Sequence, residues 1–564
     1  MKKNLLSAAV AATSVVAASS AVGSAYINDR LTGEALVYPI YSAQNGNDTY
    51  IHVVNTTADY KAVKVRMIEG ENSQEVLDFN LYMSPKDHFA FAITADGEGA
   101  KLVTTDNSCT VPIIPETGTT ADGKTIREVA FRNFLYANDK KADDPDTDAD
   151  ESFDNTGEDR EQIGYVEVIE MGQIDPDSAV LVDPTPASST YKPKNVAAAI
   201  KHGADGVPAD CSIPVAGWSV ISGVEGKWLE ECGAGCAAQG TSEFMLTWQG
   251  GGLYGIGTVI NVSEGTSFGE DAVAIEQLLD AESTGAAATK GWQLHYEPGS
   301  TKPDFNDPKV ARSALVSVPG QGAPQLVTFA ADDQRFKTVS ALFMADEVMN
   351  DYIVDPAIAA QTDWILTFPT KTFHINGKAG AEDNESKNVY NPFEVPWNGQ
   401  VACEPSTMRV YDREEAYVPP GGDEPDFSPA PPAQGPADDL LLCYEVTVLQ
   451  FGDESVTNND STVTGVGALL GDYVDGWANL DLGPSAAYKD KYGSAFGADG
   501  KATAYYDFER TLVGTNRVLE GLPVTGLAAI EYTNGNLGGV AANYAFSTEH
   551  KTSVTSSVTT QPSS

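Results

Sequence analysis

A mainly β fold is predicted for this 564-residue chain: antiparallel, Ig-like β-sandwich domains with long acidic and Pro-rich loop insertions and few helices. Three observations predict it. Runs of strict apolar/polar alternation recur along the chain, as half-buried antiparallel strands require. Turn residues punctuate those runs, with 52 Gly and 31 Pro in all. Helical periodicity is scarce, and strands do not alternate with helices as they would in a parallel α/β protein.

The elements follow in order. Residues 1–25 read as a Sec-type signal peptide. Lys2 and Lys3 form a positive start, an Ala/Ser-rich apolar run follows from Leu5, and Gly23-Ser24-Ala25 offers small residues before Tyr26. No later run of about 18 apolar residues offers a membrane span. In "KAVKVRM", Val63, Val65 and Met67 fall on one face and Lys64 and Arg66 on the other. In "LDFNLYMS", Leu77, Phe79, Leu81 and Met83 oppose Asp78, Asn80, Tyr82 and Ser84. Further strand-like runs begin at Tyr165, Gln325, Trp364 and Cys443. The two helix candidates are "KNVAAAIKHG" from Lys194 and "EDAVAIEQLLDAE" from Glu270.

These runs group into an N-terminal sandwich region, residues 26–190, with an acidic insertion at 137–162. A central mixed β region spans residues 191–360. A C-terminal sandwich region spans 361–550, with a Pro-rich insertion at 418–439, and a polar tail, 551–564, is expected to be disordered.

Six cysteines in an exported chain favour disulfides. Spacing does not fix their connectivity. Cys232 and Cys236 are suited to closing a small glycine-rich loop, Cys403 and Cys443 to tying the base of the Pro-rich insertion. Cys109 and Cys211 then remain as the third pair.

The formal net charge is −45. Such a surface repels nucleic-acid phosphates, which excludes nucleic-acid partners, and repels its own copies unless salt or cations intervene. The densest stretch runs from Asp143 to Glu161, where ten of nineteen residues are acidic. Asp144, Asp146, Asp148 and Asp150 alternate, as Ca²⁺ ligands often do, and Glu151 and Asp154 follow. Counted from Asp144, the sixth and twelfth positions of an EF-hand loop hold Ala149 and Asn155 where Gly and Glu belong. The six acids are therefore candidates for loose structural Ca²⁺ binding, against the alternative of a solvated spacer.

Catalytic motifs are weak. "GTSFG", Gly265 to Gly269, matches the letters of a nucleophile elbow at Ser267. A glycine turn entering a helix, with Glu270 and Asp271 near its N-terminus, explains the same letters. The six histidines form no close sequence pair. "LPVTG" at Leu522 lacks the apolar span and basic tail of a sortase signal. No catalytic residue is assigned, and the chain is expected not to be an enzyme. A secreted esterase using Ser267 is the least favoured alternative.

Several segments together resemble a known group: "ALVYPIY" from Ala35, the run from Val53 to Asp87, "DWILTFPTK" from Asp363, "NVYNPFE" from Asn388 and "GLPVTGLAAIEYTNG" from Gly521. They are similar to surface-layer (S-layer) proteins of marine gammaproteobacteria. The resemblance implies a secreted protein assembling with itself into a two-dimensional array on the outer membrane, also shed into biofilm matrix. It further implies contact with an outer-membrane component such as lipopolysaccharide. The alternative is a Ca²⁺-dependent secreted adhesin or matrix protein.

Overall fold

A computed structural model describes residues 23–137, 156–182, 192–218, 246–279, 294–376, 389–414 and 440–559, apart from short gaps inside those ranges. The fold is mainly β, and among the described residues the paired strands are antiparallel apart from Val446–Gln450 with Val463–Gly465.

Sheet I runs, in spatial order, Tyr26–Ile27, Val273–Glu276, Ala35–Ser42, Ile163–Ile174, Tyr60–Glu69, Glu75–Met83 and Cys109–Val111. Sheet II runs Thr266–Asp271, Leu253–Asn261, Asn47–Asn55, His88–Asp96, Gly99–Thr104, Thr125–Ala130 and Glu116–Thr119. Leu36, Tyr38, Val63, Val65, Met67, Phe79, Phe89 and Phe91 fill the space between them.

A second pair lies further along the chain. Sheet III comprises Val463–Gly465, Val446–Gln450, Ala360–Thr367, Thr525–Leu537 and Val540–Glu549. Sheet IV comprises Leu440–Leu442, Glu404–Asp412, Asp475–Asp481, Glu347–Ile353 and Lys551–Ser553. Trp364, Leu366, Tyr352, Phe451 and Leu480 pack between these two.

Alternation explains both cores, but it does not end there. Residues of the opposite parity in sheets I and III also point into apolar surroundings. Val37, Ile40, Ile68 and Tyr165 of sheet I share a third core with Ile365, Val446, Val448 and Leu527 of sheet III. The backbone joins there too: Val446 donates to the Gly70 carbonyl at 2.8 Å. The sheets therefore stack in the order II, I, III, IV, and one edge of sheet II reaches past sheet I to sheet III, where Gly269 donates to Ser547 Oγ at 3.3 Å and Val259 and Phe268 join the third core.

This third layer overturns the expectation for "KAVKVRM". Lys64 and Arg66 do not face water; both are buried. The segment from Leu294 to Ala311 covers that face of sheet I. Asn80 donates to the Tyr296 carbonyl at 2.9 Å, and Lys64 to the Ser300 carbonyl at 2.7 Å.

The first helix candidate forms as Val196–Ile200, with the Asn195 side chain accepting from the Ala198 N–H at 2.6 Å. The second does not form. Thr266–Asp271 and Val273–Glu276 are strands, in sheets II and I. The segment's apolar residues supply edges to two sheets, and pairing outweighs its local helical pattern.

The C-terminal tail also departs from expectation. Lys551–Ser553 pairs with Glu347–Met349, Ser556–Val558 pairs with Arg517–Leu519, and Val554 is buried between them. At the other end, Ala25 is fully buried. Its N–H donates to the Ser313 carbonyl at 2.9 Å and its carbonyl accepts from Leu315 at 2.8 Å. Among the described residues two disulfides are formed, Cys109–Cys211 and Cys403–Cys443. Cys232 and Cys236 lie outside the described residues. No helix among the described residues is long and apolar enough to cross a membrane.

Candidate functional site

The acidic candidates Asp144, Asp146, Asp148, Asp150, Glu151 and Asp154 lie outside the described residues. The end of their stretch does not. Arg160 is buried, its Nη2 lies 2.9 Å from Glu69 Oε1, and its guanidinium sits 4.0 Å above the Tyr136 ring. Glu161, also buried, accepts from the Ala100 N–H at 3.3 Å. The last residues of the acidic stretch are thus part of the first sandwich. Among the described residues, no group of three or more His, Cys, Asp and Glu is placed to hold a metal ion.

Ser267 sits exposed on the strand Thr266–Asp271, between buried Thr266 and Phe268. Gly265, with φ of +73°, closes the preceding turn by donating to the Asn261 carbonyl. The turn joins two strands of a hairpin and enters no helix, so Glu270 and Asp271 have no helix N-terminus to favour. Serines meet histidines elsewhere: Ser84 Oγ lies 3.3 Å from His202 Nδ1, and the Oγ of Ser340 lies 2.9 Å from the Nε2 of His374. Ser340 and His374 are fully buried, and His374 Nδ1 donates to the Tyr390 carbonyl at 2.8 Å. Burial pushes His374 down to about 3 and His550 down to about 4, so both serve as neutral core groups.

Sequence reasoning missed a set of interior charges. Lys61 Nζ lies 2.7 Å from Glu170 Oε1, and both side chains are sealed from water. Arg66 bridges Glu75 and Glu167 at 2.6 Å each, and Lys64 pairs with Asp78. Glu34 accepts from the Leu278 N–H at 2.6 Å. Burial first, then the neighbouring Glu170 and Glu276, pushes the Glu34 carboxyl up to about 8. Beside the core between sheets III and IV, where its ammonium lies over Phe368 and Phe393, burial lowers Lys371 to about 8, and it donates to the Cys443 carbonyl at 3.0 Å. The ion pairs are enclosed and tie neighbouring strands of sheet I to one another.

The outer sheets carry some exposed aromatic, apolar and imidazole side chains. On sheet IV, Trp477 is 39% exposed and stacks on Tyr411 with ring centroids 4.4 Å apart. On sheet II, Tyr50 and Ile256 are exposed, and Ile256 stands directly opposite His52. His52 Nδ1 lies 3.0 Å from His88 Nε2, across two neighbouring strands. A hairpin of sheet III adds Tyr532 stacked on Tyr544, with Phe546 beside them. The histidines are 36 positions apart, so only strand pairing brings them together.

Comparison with known proteins gives no relative to this arrangement: no family model, no curated protein and no solved structure matches the chain.

Proposed function

We propose that this is a structural cell-surface protein that assembles with itself into a surface-layer lattice on the outer membrane. Divalent cations relieve repulsion between its acidic faces, and shed material contributes to biofilm matrix. One observation carries the reading. The stack II–I–III–IV ends in two unlike outer faces, and each presents exposed aromatic or apolar side chains on paired strands. Unlike faces make heterologous contacts, and such contacts propagate when their rotation does not close a ring. The two disulfides favour an oxidising compartment. Three cores and many buried ion pairs give the rigidity that a repeating unit needs.

The test uses Ile256→Lys on sheet II and Trp477→Ala on sheet IV. Each variant alone should stop Ca²⁺-dependent growth of light scattering while leaving circular dichroism unchanged. Mixed together, they should form dimers and no larger species, because one intact face of each kind remains. Assembly of either variant as in wild type would refute the contact. A wild-type protein that stays monomeric in Ca²⁺, with no lattice on native envelopes by electron microscopy, would favour the monomeric adhesin.

A further inference from the structure

The histidine pair on sheet II has a geometry that the assembly reading does not use. His52 and His88 stand on adjacent strands, offset by two residues: Val54 is the partner of His88, and Ala90 the partner of His52. His52 is half-buried and His88 exposed. Their backbones are held firmly. The buried Tyr38 hydroxyl donates to the His52 carbonyl at 2.7 Å, and the His88 N–H donates to Asp87 Oδ1 at 2.9 Å.

We propose that His52 and His88 form a two-imidazole chelate for one borderline divalent transition-metal ion, Zn²⁺, Ni²⁺ or Cu²⁺, bound through His52 Nδ1 and His88 Nε2.

The distance is the first argument. Imidazole nitrogens bind zinc at about 2.0–2.1 Å, so two of them on one ion stand about 2.9 Å apart at a right-angled bite and about 3.4 Å at a tetrahedral one. The two facing nitrogens are 3.0 Å apart. The rings lie 30° from parallel, and the exposed His88 ring is free on its solvent side to turn its lone pair toward the ion.

Chemistry is the second argument. The pair as it stands holds one proton between its facing nitrogens, which makes one imidazole a donor and the other an acceptor. A metal ion replaces that proton. The displaced proton moves, through solvent, to the outer nitrogen of the same ring, so two neutral imidazoles bind without net proton release. Nitrogen ligands select zinc, nickel and copper over Ca²⁺ and Mg²⁺, which prefer oxygen. The site therefore differs in kind from carboxylates that would gather Ca²⁺. Water fills the remaining coordination positions on the open side of the sheet.

Isothermal titration of the intact protein with ZnCl₂, without Ca²⁺ and in high salt to screen the carboxylates, so that the protein stays unassembled and sheet II open, tests the proposal. One Zn²⁺ per chain should bind. His52→Gln and His88→Gln should each weaken binding by about a hundredfold, the lower range for losing one arm of a chelate. His202→Gln should bind as wild type. Loaded with Cu²⁺, wild type should show two-nitrogen coupling in its electron paramagnetic resonance spectrum, and each variant one. Circular dichroism checks that the variants fold. Absence of Zn²⁺ binding in wild type would overturn the proposal. So would binding untouched by either variant, or weakened by only one of them.

Discussion

Lys61 and Glu170 meet at 2.7 Å with no water access, at one end of the core between sheets I and II. Removing either partner leaves a buried, unpaired charge. Lys61→Ala and Glu170→Ala should each lower unfolding stability by about 3–5 kcal/mol, whereas Lys61→Met with Glu170→Leu should recover most of the loss. Urea titration measures all three. Among the described residues no cation pairs with nearby Glu34, and burial pushes its carboxyl up to about 8. An unfolded glutamate ionises near 4.3, so between about pH 4.3 and 8 the folded state holds a proton that the unfolded state has lost. Stability from this group is complete at the acid end and is lost as pH rises through 8. The slope is about 1.4 kcal/mol per pH unit. Glu34→Gln should therefore gain on wild type by about 2–3 kcal/mol between pH 5.5 and 7.5. Equal pH dependence in the two proteins would refute this. None of these charges was legible as buried. Alternation separates Lys64 and Arg66 from Val63 and Val65, but it does not say whether water or a carboxylate faces them. The partner of Arg66 that settles it, Glu167, lies 101 positions away.

At the scale of elements, strands were readable wherever one face is apolar and the other is not. "LDFNLYMS" and "KAVKVRM" lie in the strands Glu75–Met83 and Tyr60–Glu69, paired to each other. The helix expected from Glu270 was misread because its apolar spacing suits either element. Val273–Ile275 pairs with Ala35–Val37, a contact invisible to a local window. The acidic stretch was misread at its end. It looks uniform, yet Arg160 stands between Tyr136 and Glu69 and Glu71 in the fold. Deleting residues 143–161 should therefore cripple folding, since it leaves Glu69 buried without its guanidinium. Deleting residues 143–155 alone should leave circular dichroism and the melting temperature near wild type. A Ca²⁺ titration of assembly on the shorter deletion then tests the acidic residues as bridging ligands. A shorter deletion that fails to fold, or a longer one that melts as wild type, would refute this division.

For the whole molecule, composition conveyed the class and the chain order of the strands conveyed antiparallel sheets. The stacking of two sandwiches through a third core was not legible, because both faces of sheets I and III carry apolar residues that alternation assigns to one core. The burial of Ser24 and Ala25 carries a consequence for the expected cleavage before Tyr26. Both backbone groups of Ala25 are paired with the strand at Ser313, and Ser24 Oγ lies 2.9 Å from Ser313 Oγ. Cleavage before Tyr26 would discard these contacts. Ala21, with Ser19 two residues before it, offers an earlier small-residue boundary. N-terminal sequencing of exported protein should accordingly begin upstream of Gly23; a start at Tyr26 would refute it.

The tail residues 551–558 cross from sheet IV to the small sheet of Thr511–Val513 and Arg517–Glu520, with Val554 tucked into the third core. A pull applied beyond Thr559 loads these strands one after another. The Ser556–Val558 strand must first slide out of its ladder, then Val554 must leave its socket, and only then does strain reach Lys551–Ser553. A force drawn through the end of the chain thus meets successive catches. For a molecule tethered at that end in moving water, drag would be borne by strand pairs before it reached the body of the protein.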